Sequence, residues 1–70
     1  MRKLSLSEFR DLPFGSNVLI RIFRGNGAYT EEYEAVIVFD KIYYKDGKVD
    51  NKRIIEEYMH NGFAEVYLLK

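Results

Sequence analysis

Seventy residues carrying eleven basic and eleven acidic side chains make a chain of zero net charge and, at most, one domain. Hydrophobic residues make up 47% and aromatic residues 16%, a composition that argues against disorder. There is no cysteine, which excludes disulfide staples and thiolate metal sites, and the balanced charge lacks the basic excess of a strong non-specific nucleic-acid binder.

A chain of this size buries only about 60% of the surface it exposes when unfolded, so its core must be dense. The longest apolar runs, such as Val36 to Phe39, are too short to span a membrane. The N-terminal "MRKLSLSEF" starts basic but has no apolar h-region, so no signal peptide is expected. Absence of cysteine is compatible with a reducing cytoplasm, the expected location. The charges lie in blocks: five basic and two acidic groups over residues 1–24, then four acidic and none basic over 28–40. Five basic and two acidic groups follow over 41–53, then three acidic and one basic over 54–70. Such blocks form solvated faces, or a two-signed surface that steers a partner.

In chain order, Ser5-Leu6-Ser7-Glu8 fits a capping box, with Leu4 and Phe9 at the staple positions around it. Pro13 disfavours helix at Leu12, so a short helix over residues 6–11 is predicted. Phe14-Gly15-Ser16 then turns the chain. "NVLIRIFR" alternates Val18, Ile20 and Ile22 against Leu19, Arg21 and Phe23, both faces largely apolar, as in a central strand. Gly25-Asn26-Gly27 is a turn, because Gly and Asn tolerate positive φ. "AYTEEYEAVIVF" puts Tyr33, Ala35, Ile37 and Phe39 on one face of a second strand. Asp40-Lys41 reads as a bend or bulge, Ile42–Tyr44 as a third strand, and Asp46-Gly47 as a turn. Asp50 is the expected N-cap of a second helix, whose stripe is Ile54, Ile55, Tyr58 and Met59. Gly62 can end that helix in the left-handed conformation, and "FAEVYLL" is the last strand.

Residues able to carry chemistry are sparse. His60 is the only histidine, at a helix end. None of Ser5, Ser7, Ser16 or Thr30 sits in a Gly-x-Ser-x-Gly elbow. Along a strand Glu32 and Glu34 share a face while Glu31 points away; two such carboxylates could hold a divalent metal with help, or keep an edge soluble. Gly25-Asn26-Gly27 lacks the spacing and the lysine of a phosphate loop. The six tyrosines and five phenylalanines serve as core-edge residues, as stacking groups beside Lys41, Lys45 and Lys48, or as a protein-binding patch.

"YYKDGKVDN", an amphipathic helix and "GFAEVY" together resemble the second half of staphylococcal-nuclease-like (thermonuclease) OB-fold domains. Asp46, Gly47, Val49, Asn51, Gly62, Phe63, Ala64 and Val66 carry the resemblance, and the upstream order of a helix, a "GSNVLIRIF" strand and "YEAVIVF" extends it over roughly residues 5–67. That family's catalytic arginine follows a glycine just before the strand matching "AVIVF". Here no Gly-Arg pair exists, and Tyr33-Glu34 occupies that region. The half of the barrel bearing the calcium carboxylates, the other arginine and the glutamate base has no counterpart. The resemblance thus implies the scaffold without its catalytic residues, and a half-barrel implies sheet edges in need of pairing.

The expected fold is α+β, in the order α-β-β-β-α-β, with a mostly antiparallel sheet of three to four strands and the second helix packed on it. The expected core adds Phe9, Leu12, Val18, Ile20, Ile22, Ile37, Phe39, Val66 and Leu68. The expected function is a non-catalytic binding module acting through protein contacts, with a partner protein or a second copy, as in a small regulator or inhibitor of a larger enzyme. Its expected binding residues are Arg21, Arg24, Lys41, Tyr43, Tyr44, Lys45 and Lys48, with no catalytic residue, metal or cofactor. The alternatives are an OB-like nucleic-acid-binding module using Arg21, Arg24, Lys41, Lys45, Lys48 and nearby tyrosines, and, more remotely, a divalent-metal nuclease using the Glu31–Glu34 cluster.

Overall fold

The computed structural model describes residues 1–69. Its elements run β1 (Arg2–Lys3), α1 (Leu6–Arg10), β2 (Asn17–Arg24), β3 (Tyr29–Val38), β4 (Lys41–Tyr44), β5 (Val49–Asn51), α2 (Lys52–His60) and β6 (Ala64–Leu68). The six strands form one sheet in the order β1-β6-β2-β3-β4-β5, with every pair antiparallel. This overturns the expected three to four strands in the order α-β-β-β-α-β. The two extra strands are two and three residues long. Arg2-Lys3 has no apolar alternation, and pairing with β6 alone makes it a strand. Val49–Asn51 leads directly into α2, and its backbone closes a hairpin with β4. Both sheet edges are these shortest strands, and β3 runs past β4, so its first half is paired with β2 alone.

Helix α1 forms as its sequence directs. Ser5 Oγ accepts from the Glu8 amide at 3.1 Å, and Glu8 Oε1 accepts from the Ser5 amide at 2.8 Å. Leu4 and Phe9, on either side of the cap, are both buried. Ser5→Ala is expected to cost about 1 kcal/mol, read as a lowered urea midpoint with an unchanged slope.

The α2 cap is Asn51, whose side chain accepts from the Arg53 amide at 3.1 Å, and not Asp50. Asp50 is committed to β5, where it faces Ile42 and accepts the Tyr44 hydroxyl. The packed stripe is also rotated. Lys52 and Ile55 are buried, Tyr58 and Met59 half-buried, and Ile54 exposed. Helix spacing places Lys52, Ile55 and Met59 on one face, and Ile54 about 100° or more around the helix from each of them. Gly62 ends the helix at φ +81°, with the Phe63 amide on the Tyr58 carbonyl and the Gly62 amide on that of Met59.

Strand β2 is central, as its two apolar faces require. Its inner residues Val18, Ile20 and Ile22 join Ala35, Ile37, Ile42, Ala64 and Val66 in a core closed by Leu4, Phe9 and Ile55. Leu12 and Leu68 pack on this core from its margin. Phe39 does not belong to it. It lies beyond the end of β3, in the two-residue turn to β4, and is 77% exposed. The other sheet face carries no helix contact residue of the core: Leu19 and Val36 are half-buried there, Tyr43 and Val49 exposed.

Candidate functional site

The seven expected binding residues divide between the two sides of the sheet. Arg21, Lys41 and Tyr43 stand on the face away from the helices, with Lys45 beside them. Arg24, Tyr44 and Lys48 line a cavity of about 170 Å³ on the other side, with Ile22, Tyr33, Asp46 and Asp50. They do not make one patch.

Most of their polar capacity is already spent. Arg21 Nε and the Glu32 carboxylate lie 2.8 Å apart, Glu65 is 3.8 Å from the same guanidinium, and the Tyr67 ring lies under it at 5.2 Å. The register dictates this, because Glu32 and Glu65 are the direct neighbours of Arg21 on β3 and β6. Arg24 Nε donates to Glu31 at 2.8 Å, and Lys45 Nζ meets Glu34 at 3.1 Å. Each carboxylate of the Glu31–Glu34 cluster therefore has its own cation. Among the described residues no group of three or more His, Cys, Asp or Glu is gathered to hold a metal. Tyr44 stacks edge-on to Tyr33 at 5.6 Å and its hydroxyl donates to Asp50 at 3.2 Å. Burial, and then the negative charge of Asp50, push the Tyr44 hydroxyl well above its ordinary range. His60 lies exposed at the end of α2, apart from any of these groups.

Pairing also shifts three carboxylates. The Ser5 amide and Arg2 hold Glu8 low, Arg24 holds Glu31 low, and the Tyr67 hydroxyl followed by Lys3 holds Glu65 low. A carboxylate depressed in the folded state contributes stability above its unfolded pKa, and loses it as the pH falls through the folded value. Stability is therefore expected to drop as the pH falls from about 5 to about 3. The drop should be shallower in high salt, because these pairs face solvent. Urea midpoints across that range at two ionic strengths check it.

The feature that sequence reading missed is an exposed aromatic pair. Phe14 and Phe39 are 66% and 77% exposed and pack on each other, with ring centroids 5.1 Å apart and planes tilted by 57°. Phe39 sits at φ +55°, the left-handed region that bulky residues rarely adopt. In a two-residue hairpin turn with positive φ at its first position, glycine is the favoured residue. Phe14 is held by a turn in which Ser16 Oγ donates to the Pro13 carbonyl at 2.7 Å. That turn is tied to β3 by the Gly15 amide on the Ile37 carbonyl and the Ile37 amide on the Ser16 carbonyl. The pair is thus a fixed knob. A signal for it was present: "VFDK" between two strand-like runs is a hairpin turn, and an aromatic inside a turn has no core to enter.

Beside Phe39 a groove of about 510 Å³ is lined by Arg10, Asp40, Asn51, Lys52, Arg53 and Glu56. Arg10 Nε approaches Glu56 at 3.5 Å. Lys52 is only 7% exposed; its ammonium donates to the Arg10 carbonyl at 3.0 Å and lies 5.0 Å from the Phe9 ring centre. No described residue places a carboxylate within 4.0 Å of Lys52 or Arg53.

Among the described residues no helix is long and apolar enough to cross a membrane. Compared with protein-family models, with curated proteins and with solved structures, the chain finds no match.

Proposed function

We propose that this chain is a non-catalytic binding module that acts through protein contacts, with the Phe14–Phe39 knob as its anchor. One observation carries the reading: a phenylalanine in the left-handed conformation keeps its ring in solvent. That conformation costs roughly 1–2 kcal/mol in a non-glycine residue, and an exposed ring gains little burial to offset it. Folding alone would favour glycine there, so the ring is accounted for by something it touches. Aromatic residues preset on a rigid element are the usual anchors of protein interfaces, since little entropy is lost when they dock.

The rest of the surface supports this reading over the alternatives. Arg21, Arg24 and Lys45 are each paired with a glutamate, which takes three of the cations that a nucleic-acid backbone would need. Pairing moves Glu8, Glu31 and Glu65 down and Tyr33 and Tyr67 up, and burial moves Tyr44 up, away from the neutral range that general acid–base work needs.

The test is crosslinking and affinity capture from the native host, with Phe39→Gly as the matched control and a labelled single-stranded oligonucleotide as the competing probe. A protein retained by the wild type and lost with the variant supports the reading. Tight, salt-sensitive oligonucleotide binding with no such protein would overturn it.

A further inference from the structure

We propose that the groove between Phe39 and the start of α2 takes a carboxylate from the partner, so that the module recognises an acidic protein segment carrying an apolar side chain beside the acid. The proposal rests on the protein-binding reading and adds the chemistry of the partner.

Lys52 is the main ground. A buried ammonium without a counter-charge is costly, and pairing it is the usual remedy. Lys52 has a carbonyl and an aromatic ring for company, but no carboxylate. It is also one of the residues that line the groove. Arg53 lines the same groove, also without a carboxylate partner, and a planar guanidinium suits carboxylate recognition. The first turn of α2 contains Lys52 and Arg53 and no acid, so the positive helix end adds to the field of the two cations.

The form of the groove favours a protein over a nucleic acid. Asp40 and Glu56 share its walls, which suits one placed carboxylate and opposes a run of phosphates.

The test is a random-peptide display selection on the whole chain, followed by fluorescence anisotropy of the selected peptides. The selected peptides should carry Asp or Glu next to an aromatic or aliphatic residue. Arg53→Glu, and Gln for the acid in the peptide, should each weaken binding by about tenfold or more. Lys3→Gln, on the opposite edge strand β1 and outside the groove, should leave affinity unchanged. Arg53→Glu places an acid in the first turn of α2, which favours the helix, so lost binding would not report unfolding. Peptides without acidic bias, or indifferent to Arg53→Glu, overturn the inference. If such peptides still lose affinity with Phe39→Gly, the knob reading survives and only the carboxylate falls. A selection with no binder above background, or an oligothymidine probe that displaces the peptides, counts against both.

Discussion

Phe39→Gly is expected to weaken partner binding strongly while leaving the fold as stable as before, or slightly more so. Loss of a central aromatic anchor typically costs about 2 kcal/mol or more, roughly thirtyfold in affinity. On the folding side the largely exposed ring contributes its contact with Phe14 and little burial, and glycine relieves the left-handed backbone at the first position of the turn. The two effects have opposite signs, and that separates an interface residue from a structural one. Anisotropy with a bound peptide and a thermal melt, on the same preparations, read both. A melting temperature lowered by more than about 5 °C, with binding intact, would make Phe39 a structural residue and remove the anchor.

Phe9→Ala is expected to bring the domain close to unfolding. Phe9 is fully buried, is the only buried residue of α1, and lies beneath the Lys52 ammonium. Large-to-small changes of this kind cost about 3–5 kcal/mol. A domain of this length has only about 4–10 kcal/mol in total. The variant should show a urea midpoint near zero, or a melting temperature lowered by on the order of 20 °C. Loss of Phe9 also frees α1, and with it the Arg10 carbonyl that receives Lys52. The groove beside Phe39 should then lose its shape before the sheet does. A loss below about 1 kcal/mol would mean that α1 is dispensable to the core.

Local chemistry was legible from the chain alone. Ser5 with Glu8 marks a helix start, Gly62 a helix stop, and Gly25-Asn26-Gly27 a hairpin loop, because each acts over three or four residues. The long strands were legible because alternation repeats over eight or ten positions. The misread positions share one cause. Arg2-Lys3 and Val49–Asn51 are too short to show a period, and only their neighbours make them strands. Asp50 and Asn51 are both good caps, and the choice between them fell to the Tyr44 hydroxyl across the hairpin.

By its own sequence this protein was bound to be a small, cysteine-free α+β chain with a capped first helix, an apolar central strand and cations matched in number by carboxylates. Those properties follow from composition and short-range pattern. Tertiary structure alone decided which cations meet which carboxylates, because cross-strand register pairs Arg21 with Glu32 and Glu65, neighbours far away in sequence. It also decided that Lys52 goes inward and Phe39 outward. Hydropathy assigns those two residues the opposite places. A helix face and a hairpin turn, fixed by backbone hydrogen bonding, overruled it.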